Sequence, residues 1–204
     1  MDSGGISTHV DAASHYTHGK RSIDQYRLDE LIVAACVINV TNKCENNHDY
    51  GLTVDDIKQW ESQYGSVPSG CIVLLYTGWS KYWSEGQDKY VPIENHSHVG
   101  NDRPHTCLCD NSGVVRHFPG YTAAAAKYLI DKRVVAIGID TLSADVGINT
   151  DMEVHKLTGE ADIYMVENLN TRLGELQPTG HTLIVAPINI VGGSEATARV
   201  FAYC

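Results

Sequence analysis

Six short runs rich in Val, Ile and Leu, each bounded by turn-forming residues, constrain this chain most: 31–40, 71–77, 134–139, 163–166, 182–190 and 198–203. Runs of this length suit strands buried in a sheet and are short for core helices. Only two segments read as helices. Thr53 caps 54–64, where Val54, Ile57 and Trp60 recur at helical spacing, and Gly65 ends it. Thr122 caps 123–132, which opens with four alanines. The pattern predicts a strand-rich α/β fold in a single domain, 1–204, and 43% hydrophobic residues supply enough material for one core.

Charge narrows the partners. Asp plus Glu number 25 against 15 Lys plus Arg, a formal net charge of −10, with no concentrated basic stripe, so nucleic acid is not expected. The most apolar stretch, 31–38, is less than half of the roughly 20 residues a membrane-spanning helix needs, so no membrane span is expected. The opening Met-Asp-Ser-Gly-Gly shows neither a basic leader nor an apolar run. Cys36 and Cys71 sit inside apolar runs as buried thiols, and together these features predict a cytoplasmic protein.

The segment 86–118 is polar, shows neither strand nor helix periodicity, and reads as an insertion. It gathers His96, His98, His105, Cys107, Cys109 and His117. These are zinc-type donors, yet Cys-x-Cys is tighter than the usual structural spacing, so a solvated insertion and a zinc loop both stay open.

The densest chemistry is Ser7-Thr8-His9-Val10-Asp11-Ala12-Ala13-Ser14-His15-Tyr16. On an extended segment His9 and Asp11 point to one face, where an imidazole and a carboxylate can share a divalent cation. His15 lies four residues beyond Asp11, within reach of the same pocket after a turn. A surface histidine beside a solvated aspartate is the plain alternative. Trp79, Tyr82 and Trp83 form an aromatic cluster suited either to stacking on a planar substrate or to a core. Asp140 reads as a structural acceptor at a strand end, and Asn168 as a residue that orders a turn.

That stretch resembles the Gly-Thr-His-x-Asp-Ala-Pro-x-His-Phe signature of the putative cyclase family, which includes bacterial kynurenine formamidase and isatin hydrolase. Further matches follow in order. Cys71 to Trp79 is similar to the family's core strand ending in Thr-Gly-Trp; Phe118-Pro119-Gly120, and Gly138-Ile139-Asp140-Thr141, resemble two more of its segments. His155 and Glu167-Asn168-Leu169 resemble its distal His and Glu-Asn-Leu. The resemblance implies a swivelling β/β/α fold and a metal-dependent hydrolase of a cyclic or aryl amide. It implies His9, Asp11, His155 and Glu167 as metal ligands for zinc or manganese, and His15 as general acid or base. Trp79 and Trp83 are the candidates for substrate contact.

Two departures qualify this. Gly5 stands where the family has a histidine that helps hold one of two ions, so one ion and two ions both remain open. Family members also carry a few tens of residues before the motif, including strands. A shortened chain with unpaired sheet edges is therefore expected, covered by a partner in a homodimer or homotetramer. The alternative function is a non-catalytic member of the fold that binds a small molecule or a protein.

Overall fold

The computed structural model describes residues 7–95 and 114–203. Seven strands form one mixed sheet: β1 (His9–Asp11), β2 (Ile32–Asn39), β3 (Ile72–Tyr76), β4 (Ala136–Ile139), β5 (Tyr164–Glu167), β6 (His181–Pro187) and β7 (Glu195–Tyr203). Their order is β1-β7-β6-β2-β3-β4-β5, and β5 pairs back onto β1 to close a barrel. Strands β2 to β5 run parallel to their neighbours within that group, and the remaining pairings are antiparallel. The helices α1 (Val54–Tyr64), α2 (Ala123–Asp131) and α3 (Glu153–Glu160) cover the outside.

Side-chain alternation divides the core into two layers. Ile72 and Leu74 of β3 pack inside the barrel with Val10, Val33, Tyr164, Val166 and Leu183. Val73 and Leu75 point the other way, onto Ile57, Trp60, Ala125, Leu129 and Val154 of the helices. Both faces of β3 are covered, which is why its sequence is apolar throughout rather than alternating. Each such Leu or Ile contributes roughly 1.5–3 kcal/mol by leaving water.

The caps form as expected. Thr53 Oγ1 accepts from Asp56 N–H at 3.2 Å while Asp56 Oδ2 accepts from Thr53 N–H at 2.8 Å, a reciprocal capping box. Thr122 Oγ1 accepts from Ala125 N–H at 3.1 Å. Cys36 and Cys71 are buried free thiols. No helix among the described residues is long and apolar enough to cross a membrane.

Three expectations need correction. The unpaired edges do not occur in the main sheet, because β1 pairs with β5 on one side and β7 on the other. The segment 86–118 is not free of regular structure: Gln87–Tyr90 forms a helical turn, and Ile93–Asn95 pairs antiparallel with Val114–Arg116. Elements of three or four residues are too short to show a period. Helix α3 had no predicted counterpart, since its buried face is Val154, His155, Thr158 and Gly159, which carries too few apolar residues to show a helical period. His96, His98, His105, Cys107, Cys109 and Gly5 lie outside the described residues.

Candidate metal centre

Strand register builds one wall of the centre. In β1, Val10 faces the barrel interior, so His9 and Asp11 face outward toward the helices. His9 stands directly across from Glu167 of β5, and Asp11 directly across from Glu195 of β7. Tyr164 and Val166 take the interior positions of β5, which turns Glu167 to the same outer face as His9. His155 arrives from α3. All four side chains named by the resemblance are buried: His9, Asp11, His155 and Glu167 are at most 4% exposed.

Asp11 and Glu167 each lie between two imidazoles. His9 Nε2 is 3.4 Å from Asp11 Oδ1 and 3.4 Å from Glu167 Oε2. His155 Nε2 is 3.6 Å from Asp11 Oδ2 and 3.4 Å from Glu167 Oε1. These separations exceed ordinary N–H···O bonds. They approach the spacing of about 3.3–3.4 Å between neighbouring donors that sit about 2.0–2.1 Å from a tetrahedral zinc. Asp11 Oδ1 is buried with no hydrogen-bond partner among the described residues, a costly arrangement for a carboxylate unless a cation meets it. The donor atoms of Asp11, His155 and Glu167 all lie within 4.8 Å of one another. The residues present therefore fit a divalent cation.

The outer nitrogens of both rings are tied down. His155 Nδ1 lies 2.6 Å from Asp145 Oδ2, and His9 Nδ1 lies 2.9 Å from the Ser7 carbonyl oxygen. With Nδ1–H donating outward, each Nε2 keeps its lone pair for the cluster, as metal-bound histidines require. Glu167 Oε1 accepts from Ala144 N–H at 2.8 Å. Without a cation the cluster holds protons instead. Burial on its own would lower His155, but the Asp11 and Asp145 carboxylates outweigh it and push the imidazole up to about 10. Burial also opposes protonation of His9, yet Asp11 and Glu167 raise it well above the usual histidine value. Burial would raise Asp11, and the imidazoles of His155 and His9 instead hold it far below the carboxylate range.

Two glycines let backbones come close enough to shape this region. A Cβ on Gly120 would stand 2.5 Å from the Asp145 carbonyl carbon and the Val146 nitrogen, so only glycine lets residues 120–121 lie against Asp145. A Cβ on Gly159 would stand 2.5 Å from Thr17 Oγ1, and its absence seats α3 on the turn Ala13–His15.

The profile of the family described as Putative cyclase matches residues 2–146, well over half of the chain. This chain belongs to that family. An isatin hydrolase of Roseibium aggregatum is 28% identical over 203 residues, spanning 96% of this chain and 70% of that protein. Isatin hydrolase A from Ralstonia solanacearum superposes with a TM-score of 0.83 at 27% identity, covering 98% of this chain and 72% of that one. An isatin hydrolase bound to the product analogue thioisatinate gives 0.83 at 25% identity, covering 99% and 72%. The fold is thus that of the cyclase family.

His15 is in ring contact with a cluster residue, whereas the cavity at Trp83 is lined by none of the four candidate ligands of this cyclase chain. His15 is half-buried at the rim, its ring centroid 6.4 Å from that of His155 and 5.3 Å from that of Tyr16. Trp83 is 53% exposed and lines a cavity of about 340 Å³ with Ser7, Thr8, Lys81, Tyr90 and Asn168. Trp79 does not line this cavity. It is 2% exposed, packs on Phe118 and Val91, and donates from Nε1 to the Tyr90 carbonyl at 2.8 Å. Asp140 is the expected structural acceptor: it takes Thr77 N–H at 2.8 Å, Thr77 O–H at 2.6 Å and Ser80 O–H at 3.1 Å, holding the turn that carries both tryptophans. Asn168 orders its turn at φ 56°, with Oδ1 accepting from Tyr90 O–H at 2.6 Å.

Sequence reasoning missed two acids of the cyclase centre. Asp145 precedes α3 in a stretch with no readable period, so nothing local marked it. Glu195 opens β7, but the apolar run that signalled this strand starts only at 198.

Proposed function

We propose that this chain is a metal-dependent hydrolase that cleaves the C–N bond of a small cyclic or aryl amide, such as a lactam or an N-formyl arylamine. The observation that carries the reading is the buried Asp11 carboxylate between two imidazoles, with Oδ1 lacking any hydrogen-bond partner among the described residues. The likeness to isatin hydrolases supports the substrate class. His9, Asp11, His155 and Glu167 would hold the cation, zinc or manganese, since imidazole with carboxylate suits both. When bound, such a cation lowers the pKa of water toward neutrality and polarises a carbonyl.

The chain's own residues supply the rest. Asp145 and the Ser7 carbonyl orient the two imidazoles, and Ala144 N–H orients Glu167. His15 at the rim carries the proton to the leaving nitrogen, a task suited to an imidazole near neutral pH. A planar amide would stack on the exposed ring of Trp83, which stands edge-on to Tyr90 at 5.0 Å. Trp79 would act from behind by holding the Tyr90 backbone.

Metal analysis of purified protein and hydrolysis assays with and without chelator test this reading. His9→Ala and Glu167→Ala should each lose metal and turnover; retention of both would overturn the assignment. Gly5, in place of the family histidine, favours a second reading, a non-catalytic small-molecule binder. It predicts little metal, no turnover, and a ligand that still raises Tm. We also propose a homodimer or homotetramer, supported by the exposed apolar side chains of Ile188, Val191, Phe201 and Tyr203. Light scattering that finds only monomer at micromolar concentration would reject it.

A further inference from the structure

One end of the barrel carries the cavity of about 340 Å³ at Trp83, which none of the four candidate metal ligands lines. Strand direction places it. Strands β3 and β5 run parallel through β4, and β1 runs antiparallel to β5, so the carboxyl ends of β3 and β5 meet the amino end of β1. Lys81 and Trp83 follow β3, Asn168 follows β5, and Thr8 precedes β1. Barrel mouths and the carboxyl ends of parallel strands are favoured places for small ligands.

The lining carries one charged side chain, Lys81, and no acidic one among the described residues. In a chain with 25 acidic residues against 15 Lys plus Arg, that makes the cavity a local positive spot. Lys81 forms no ion pair or hydrogen bond among the described residues, and its Nζ lies 4.9 Å from the Tyr82 ring centroid. The carboxylate behind the wall, Asp140, is fully buried and already accepts from the N–H and O–H groups of both Thr77 and Ser80.

Asn168 supplies a second, independent observation. It is 6% exposed, and its Oδ1 accepts from Tyr90 O–H at 2.6 Å. That turns Nδ2 toward His9 Nδ1 at 3.5 Å, a nitrogen that itself donates to the Ser7 carbonyl oxygen. Donor thus faces donor, which leaves a buried amide N–H group without an acceptor among the described residues, a costly state that a ligand oxygen relieves. Trp83 adds a flat apolar face: its ring is 53% exposed and is held edge-on to Tyr90 at 5.0 Å. A volume at the small end of ligand cavities suits one aromatic ring with short substituents.

We propose that this cavity binds a single-ring aromatic carboxylate, with Lys81 and Asn168 holding the carboxylate and Trp83 the ring. The proposal rests on the stacking role given to Trp83 above and asks nothing of the metal cluster.

The test uses the whole chain, both as purified and after chelator treatment, with benzoate as the probe. Uncharged benzamide and ring-free acetate are the controls. Isothermal titration should find one benzoate site of equal affinity in both preparations, with each control about 10-fold weaker or worse. Lys81→Gln should weaken benzoate about 10–100-fold, the scale of a hydrogen bond to a charged group, and leave benzamide unchanged. Trp83→Leu should weaken benzoate and benzamide together. Both side chains are exposed, so neither variant threatens the fold. Unchanged benzoate affinity in Lys81→Gln, equal affinity for benzamide, or no benzoate bound at millimolar concentration would overturn the proposal. Benzoate binding that vanishes with chelator would also overturn it, because the acid would then sit on the metal. Any of these results beside chelator-sensitive turnover leaves the hydrolase reading standing. Lys81-dependent benzoate binding in a protein with neither metal nor turnover would support this site while the hydrolase reading falls.

Discussion

Asp145 Oδ2 lies 2.6 Å from His155 Nδ1, and the same carboxylate accepts the backbone N–H groups of Val154 at 2.9 Å and His155 at 3.1 Å. One side chain therefore caps the first turn of α3 and aims the imidazole that this turn carries. Asp145→Ala should lower metal affinity by about 10–100-fold, measured by titration calorimetry. It should also cost roughly 1 kcal/mol of stability through the lost cap. Asp145→Asn keeps a cap acceptor, so it should recover stability ahead of affinity; equal recovery of both would count against the orienting role.

Proton and cation compete for the same nitrogens, which sets a pH dependence. His155 is pushed up to about 10 in the absence of metal, so its charged pairing stabilises the metal-free fold fully below the ordinary histidine value of 6.5. That contribution is lost as pH rises from 6.5 through about 10. Metal binding releases these protons and so tightens over the same interval. The Tm of chelator-treated protein should fall across it in calorimetry, while the increment on adding metal grows. An increment that shrinks with rising pH would refute the shared-donor account.

Gly120 tests whether backbone contact at a distance shapes the centre. Gly120→Ala places a Cβ 2.5 Å from Asp145 backbone, where no flexible side chain can yield. The variant should lose about 1–3 kcal/mol, read from the denaturant midpoint, and should bind metal more weakly because Asp145 moves. Unchanged metal affinity in a destabilised variant would uncouple the two.

Asp56 is a stability element away from the site. Its carboxylate accepts from Thr53 N–H at 2.8 Å, Thr53 O–H at 2.7 Å and Tyr50 O–H at 2.6 Å, and pairs with Lys43. Burial opposes its charge, but Lys43 and these donors hold its pKa down at about 2 from an ordinary 3.8. The contribution is present above 3.8 and lost as pH falls through about 2. Asp56→Asn should cost roughly 1–2 kcal/mol at pH 7 and much less at pH 2, by urea denaturation at the two pH values.

The elements read from sequence were those whose signals are local. A capping threonine, a helical recurrence of Val54, Ile57 and Trp60, and an apolar run such as Ile72–Tyr76 are complete within a dozen residues, and α1, α2 and β3 appear accordingly. The candidates His9 and Asp11 were legible because period two places both on one face of any strand. His155 and Glu167 were found by resemblance, since no local pattern ties them to residues about 150 positions earlier.

The amino-acid order alone decided that six apolar segments become strands, where two helices begin, and which residues carry metal-type donors. Tertiary structure decided that these donors meet. Closure of the barrel sets β1 between β5 and β7, and the resulting register puts His9 across from Glu167 and Asp11 across from Glu195. Asp145 and Glu195 could not be read beforehand, and the choice between stacking and core for Trp79 stayed open, for the same reason. Each depends on contacts between chain segments far apart in sequence, where strand pairing and packing, rather than local periodicity, determine which atoms face one another.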